Sequence, residues 1–144
     1  MNELALLLQD FSWDTYQEVS DSLMTFDEGN IDDEITRYSS MYSYYNALLS
    51  KSKEILNDKE HDLHVLESTV RREAKSGSRV KLTAKDLDDL VETNEDVIEH
   101  NRLVRAAQSK YDLLRGLIRA LEAKKDMLIQ ASSNRRAETK LYDK

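Results

Sequence analysis

Apolar and aromatic residues recur through the middle of the chain at alternating steps of four and three. Positions 31, 35, 38, 42, 45, 49, 52, 56, 59, 63, 66 and 70 hold Ile, Ile, Tyr, Tyr, Tyr, Leu, Ser, Leu, Lys, Leu, Leu and Val. Ten of these twelve are apolar or aromatic, over more than five heptads. A repeat of 3.5 residues keeps one stripe of a helix facing a partner as the two supercoil. It predicts a helix from about residue 31 to 75, roughly 65 Å long at 1.5 Å per residue. That is too long for a compact globule of 144 residues, so the pattern predicts a rod or a hairpin.

Upstream, Leu4, Leu7, Leu8, Phe11, Tyr16, Val19, Leu23 and Phe26 predict an amphipathic helix over 3–26. Gly29-Asn30 signals a turn, and Asp32, Asp33 and Glu34 suit the first turn of the next helix, whose dipole favours negative charge. Downstream, Ser76-Gly77-Ser78 breaks the pattern, with Gly77 expected to supply a left-handed cap. Thr83 and Asp86 have capping-box spacing, so a second long helix is expected from near Ala84. Its stripe runs through Leu87, Leu90, Val97 and Ile98, then Val104, Ala107, Tyr111, Leu114, Ile118, Leu121, Lys125 and Leu128. Asn94 and Asn101 interrupt that stripe, and polar residues on a seam fix register and oligomer state. The pattern fades after about Ser132, where the helix is expected to fray.

The expected fold is therefore all-α: an acidic helical segment over 1–29, then a long antiparallel helical hairpin over 30–144. One hairpin covers only one stripe per helix. Met41, Tyr42, Tyr44, Leu48 and Ile55, with the first helix, would need further cover, which predicts a homo-oligomeric ring or bundle. The expected oligomerisation contacts are Tyr38, Tyr42, Tyr45, Leu49, Asn94, Asn101, Leu114, Ile118 and Leu121.

Composition narrows the class further. With no Pro and three Gly, the chain lacks the turn residues of an all-β fold. With no Cys it can build neither a disulfide framework nor a Cys-based zinc site. No apolar run approaches the 18 or so residues of a membrane span. The longest, Leu4 to Leu8, lacks the basic flank and cleavage site of a signal peptide, so an intracellular, soluble protein is expected.

Charge is unevenly placed within the net −7: residues 1–50 sum to −9, 51–100 to −4 and 101–144 to +6. The sharpest reversal lies between the long helices. Over residues 70–85, Arg71, Arg72, Lys75, Arg79, Lys81 and Lys85 stand against the single acid Glu73. Several cations at a hairpin tip can displace counterions from successive phosphates. A solvated helix end is the plainer account, since basic residues also suit a C-terminal dipole. A second series, Arg102, Arg105, Arg115, Arg119, Lys124 and Lys125, reads as a solvated face paired with the acidic N-terminal third.

Catalysis has little support, for there is no Cys nucleophile, no nucleophile elbow and no Gly-rich phosphate loop. His61 and His64 lie one turn apart near Glu60 and Glu67, but exposed helix positions explain them better than a metal site. No cofactor is expected. No helix-turn-helix, zinc finger or aromatic RNA-binding signature is present, so any nucleic-acid binding would tolerate all sequences.

The run R-R-E-A-K-S-G-S-R-V-K-L-T-A-K-D, the following D-L-V-E-T-N-E-D-V, then A-A-Q-S-K-Y-D-L-L-R-G-L-I-R-A-L and a late R-R-A-E resemble the UvsY-type recombination mediators of tailed bacteriophages, over about residues 38–138. The only local signature is the Lys81-x-Thr83 turn. The resemblance implies a non-enzymatic, ring-forming helical protein of the bacterial host cytoplasm. Such a protein binds single-stranded DNA, displaces the single-strand-binding protein and loads a RecA-like recombinase. It also implies DNA contact by Arg71, Arg72 and Lys75, with Arg79 and Lys81 just beyond. The acidic stretch from Met1 to Gly29 has no counterpart in that pattern; it would instead contact the recombinase or a neighbouring subunit. The alternative is a structural coiled-coil assembly or adaptor protein with no nucleic-acid role.

Overall fold

The computed structural model describes residues 11–25 and 27–143, so the N-terminal apolar run, Leu4 to Leu8, and Phe26 of the expected first helix lie outside the described residues. Among the described residues the chain is helical and has no strand. Helix α1 spans Trp13–Met24, a 3-10 turn Glu28–Asn30, α2 Ile31–Gly77, α3 Ala84–Thr93 and α4 Glu95–Tyr142.

Local chemistry sets each boundary. Ser12 caps α1, its hydroxyl accepting from the Thr15 N–H at 3.4 Å. The Asp27 carboxylate accepts from the Gly29 N–H at 3.0 Å and shapes the turn before α2. Helix α2 then opens with Asp32, Asp33 and Glu34 in its first turn. At its far end Gly77 is not a left-handed cap, because no described glycine has a positive φ; it is the last residue of the helix. The chain turns at Ser78 instead, whose hydroxyl donates to the Val80 carbonyl at 2.7 Å and accepts from the Val80 N–H at 3.3 Å.

The Thr83–Asp86 capping box forms as its spacing predicts. The Thr83 N–H donates to Asp86 Oδ2 at 2.9 Å, and the Asp86 N–H donates to Thr83 Oγ1 at 3.2 Å. The helix beyond it is not continuous, however. Asn94 leaves helical geometry, with φ −69° and ψ 127°. Its side-chain oxygen accepts from the N–H groups of Asp96 at 3.0 Å and Val97 at 3.1 Å. Asparagine's short amide satisfies helix-end donors that a seam leucine would leave open. The expected single helix is therefore two helices, and Asn94 caps the second rather than sitting on a continuous stripe. Beyond Ser132 the expected fraying is also absent: α4 runs to Tyr142, although residues 133–143 are all exposed. Arg, Ala, Glu and Lys in that segment favour helix without burial.

The chain divides into two compact units, Met1–Lys51 with Asp112–Lys144, and Ser52–Tyr111. In the first, Phe11, Leu23, Ile31, Leu48, Leu114, Leu117, Ile118, Leu121 and Leu128 are buried. Each such side chain contributes roughly 1.5–3 kcal/mol relative to exposure. The early part of α2 and the late part of α4 run antiparallel here. Asp32 pairs with Arg135 at 3.5 Å, and further along α2 the Tyr42 hydroxyl donates to Glu122 at 3.4 Å. Helix α1 packs on α4 at Gly116, where an added Cβ would lie 3.3 Å from the Tyr16 hydroxyl. Leu48, expected to need cover from another chain, is already buried within this one, whereas Tyr44 stays exposed.

The second unit has a thinner core, made by Leu56, Leu87, Val91 and Val97 with Ser52. The Lys53 ammonium stands 5.0 Å from the centroid of the Tyr111 ring. Of the twelve seam positions on α2, only Ile35 is exposed; the rest are buried or half-buried. On α4 the stripe passes through Lys124 and not, as expected, Lys125, because the buried series runs Leu114, Leu117, Leu121, Lys124, Leu128. Glu34 supplies the partner that lets a lysine occupy the inner position.

Candidate nucleic-acid interface

The last three turns of α2 place Ser68, Arg71, Arg72, Lys75 and Ser76 at steps of three and four, on one helix face. They line a shallow groove of about 570 Å³, open to solvent and bordered by this helix face alone. The Ser76 hydroxyl donates back to the Arg72 carbonyl at 3.2 Å, in the final turns where carbonyls lose their helical partners. Lys75 also sits in the last turn of α2, at the negative end of its dipole, where a basic residue is favoured. An arginine fork, a second arginine and a lysine between two hydroxyls make a donor set suited to phosphate oxygens.

Of the five sequence-designated DNA contacts, the structure brings Arg71, Arg72 and Lys75 together. Arg79 and Lys81 are exposed in the connecting segment 78–83 and do not line the groove. Arg71 is also already engaged, its Nη2 lying 2.9 Å from Asp88 Oδ1 of α3. The positive run in the sequence ends at Lys85, and Asp86, Asp88, Asp89 and Glu92 follow directly. Those carboxylates are the signal that a window closed at residue 85 leaves out. Asp86 is itself held below its ordinary value, first by the Thr83 backbone hydrogen bond and then by the Thr83 hydroxyl.

The expected oligomerisation residues fall into different environments. Tyr38, Tyr42, Tyr45 and Leu49 are half-buried on α2, with Tyr38 and Tyr42 stacked at 5.8 Å. Burial pushes the Tyr38 and Tyr45 hydroxyls up, and neighbouring Tyr42, Glu122 and Asp126 add to the effect at Tyr38. Leu114, Ile118 and Leu121 lie in the chain's own core. Asn101 is half-buried, and Asn94 is the cap described above.

The second cationic series is partly consumed by internal pairing. Lys124 bonds to Glu34 at 2.8 Å, and Arg102 meets Glu99 of its own helix at 3.6 Å. Beyond the series, Arg135 reaches Asp32. His61 and His64 are exposed, and no cluster of three or more potential metal ligands occurs among the described residues. No described helix is long and apolar enough to cross a membrane.

Fold and site define an all-α protein, bundle-like in its packing, with a basic groove at a helix end. No family model matches the chain. No curated protein is significantly similar to it, and no solved structure is either.

Proposed function

We propose that the protein binds single-stranded DNA without sequence preference and acts as a recombination mediator, loading a RecA-like recombinase in place of single-strand-binding protein. The observation that carries this reading is the convergence of Arg71, Arg72 and Lys75 with two serine hydroxyls on one open face. An open groove suits a backbone that must be tracked and released, whereas a closed pocket would suit a small ligand. The mediator role rests on the resemblance to UvsY-type proteins, and self-association would set several such grooves side by side.

Fluorescence anisotropy with a labelled oligonucleotide tests DNA binding. Single-strand affinity falls with a log–log salt slope of about −0.7 per phosphate neutralised, so three contacts give about −2 per protomer. The full set of five, including Arg79 and Lys81, would give about −3.5. Absence of binding at low salt would overturn the reading. Mediation is tested by recombinase filament formation on strand coated with single-strand-binding protein, which should require this protein.

A structural coiled-coil adaptor is the second reading, favoured by the long covered seam of α2. It expects no oligonucleotide binding and no effect of Arg71→Ala with Arg72→Ala.

A further inference from the structure

Helix α3 is a short element of ten residues, set apart from α4 by the break at Asn94 and from α2 by segment 78–83. Only Leu87 and Val91 of its side chains are buried. The other positions are exposed and include Asp86, Asp88, Asp89 and Glu92. One of these carboxylates does more than face water. Asp88 Oδ1 lies 2.9 Å from Arg71 Nη2, at the distance of a charge-assisted hydrogen bond. Arg71 is at the same time a wall of the groove with Arg72 and Lys75.

From this geometry we infer that α3 is an internal competitor for the basic groove: the Asp88 carboxylate occupies the guanidinium that an incoming phosphate would take. The inference rests on the nucleic-acid reading of that groove and adds its regulation. A carboxylate and a phosphate both draw on the charge and N–H donors of the same guanidinium, so the Asp88 contact at Nη2 weakens what Arg71 offers a phosphate. Arg72 and Lys75 have no ion-pair partner among the described residues, so the competition is specific to one of the three cations. An exposed pair of this kind, with side chains 45% and 54% accessible, weakens binding without abolishing it. The consequence is a site whose bound strand is opposed by a tethered anion that re-forms its pair as soon as a phosphate leaves. Easy release is what a protein that passes a strand to another protein requires.

The test uses the full-length chain, a fluorescein-labelled oligo-dT and anisotropy at several salt concentrations. Asp88→Asn is expected to tighten binding by about two- to fivefold, the factor equivalent to one exposed ion pair. It should also steepen the salt slope by up to about 0.7, towards the full three-contact value of about −2, because Arg71 no longer divides its charge between Asp88 and phosphate. Asp89→Asn removes the same charge from the same helix and serves as the control; it should give clearly less. In an Arg71→Ala background Asp88→Asn should give no specific gain. Circular dichroism establishes that each variant is folded. Equal gains from Asp88→Asn and Asp89→Asn, or a gain that persists without Arg71, would overturn the competitor and leave the binding site standing. No binding by either the wild type or Asp88→Asn would overturn both.

Discussion

Lys124 Nζ lies 2.8 Å from Glu34 Oε2, and the lysine is only 4% exposed. The pair joins the first turn of α2 to the buried stripe of α4 between Leu121 and Leu128, and so fixes how these segments register. The two partners are not equivalent, because the glutamate side chain keeps 20% of its surface and the lysine 5%. Glu34→Ala leaves a buried ammonium with no partner and should cost about 3 kcal/mol. Lys124→Met leaves a carboxylate that still reaches water and fills the same space, so it should cost clearly less. Urea denaturation of the two variants checks the order.

Asn94 should matter through its cap. Asn94→Leu removes the acceptor for the Asp96 and Val97 N–H groups, costing about 1 kcal/mol, while Asn94→Asp keeps it. If Asn94 also sets assembly, then Asn94→Leu with Asn101→Leu changes the mass found by light scattering. A mass near a single 16.7 kDa chain for the wild type at micromolar concentration would rule out the expected homo-oligomer.

Acid should loosen α3 through Asp86. Its folded value lies below the ordinary 3.8 because the Thr83 backbone and hydroxyl favour the charged form. A depressed carboxyl stabilises above its unfolded value and loses that contribution as pH falls through the folded one. The capping box is therefore fully present at neutral pH and fades below about pH 3.8. Asp86→Asn should remove that part of the acid dependence, measured as α3 amide exchange against pH.

Gly116 is where α1 meets α4. Alanine there gains up to about 1 kcal/mol of helix propensity. Its Cβ would press on the Tyr16 hydroxyl at 3.3 Å, the far end of a half-buried side chain that can give way. Gly116→Ala should thus be neutral or mildly stabilising. Gly116→Leu should displace Tyr16, disturb its stack with Trp13 and expose α1 to proteolysis. Limited digestion separates the two outcomes.

Much of the fold was legible because helices are encoded locally. The period of 3.5 marked α2 from Ile31 onward, the Thr83–Asp86 spacing marked the start of α3 at Ala84, and Asp32 to Glu34 marked the first turn of α2. The candidate site was legible in the same way for Arg71, Arg72 and Lys75, which share one helix face. Arg79 and Lys81 were grouped with them only by nearness in sequence, and a non-helical segment does not hold that grouping in space.

By itself, then, the sequence determined which stretches are helical and where α2 and α3 begin, since each depends on residues within a turn or two of one another. Tertiary structure decided what local pattern leaves degenerate. An asparagine on a stripe reads equally as a seam residue or a cap, and only the path of the backbone at Asn94 chose the cap. Lys124 and Lys125 are adjacent basic residues on one helix, and the position of Glu34 ninety residues away brought the first inside. Arg71 reads as one more free cation until α3 folds back and sets Asp88 against it. These choices rest on pairings between distant residues, whose free energy is set by where the partner lies once the helices have packed.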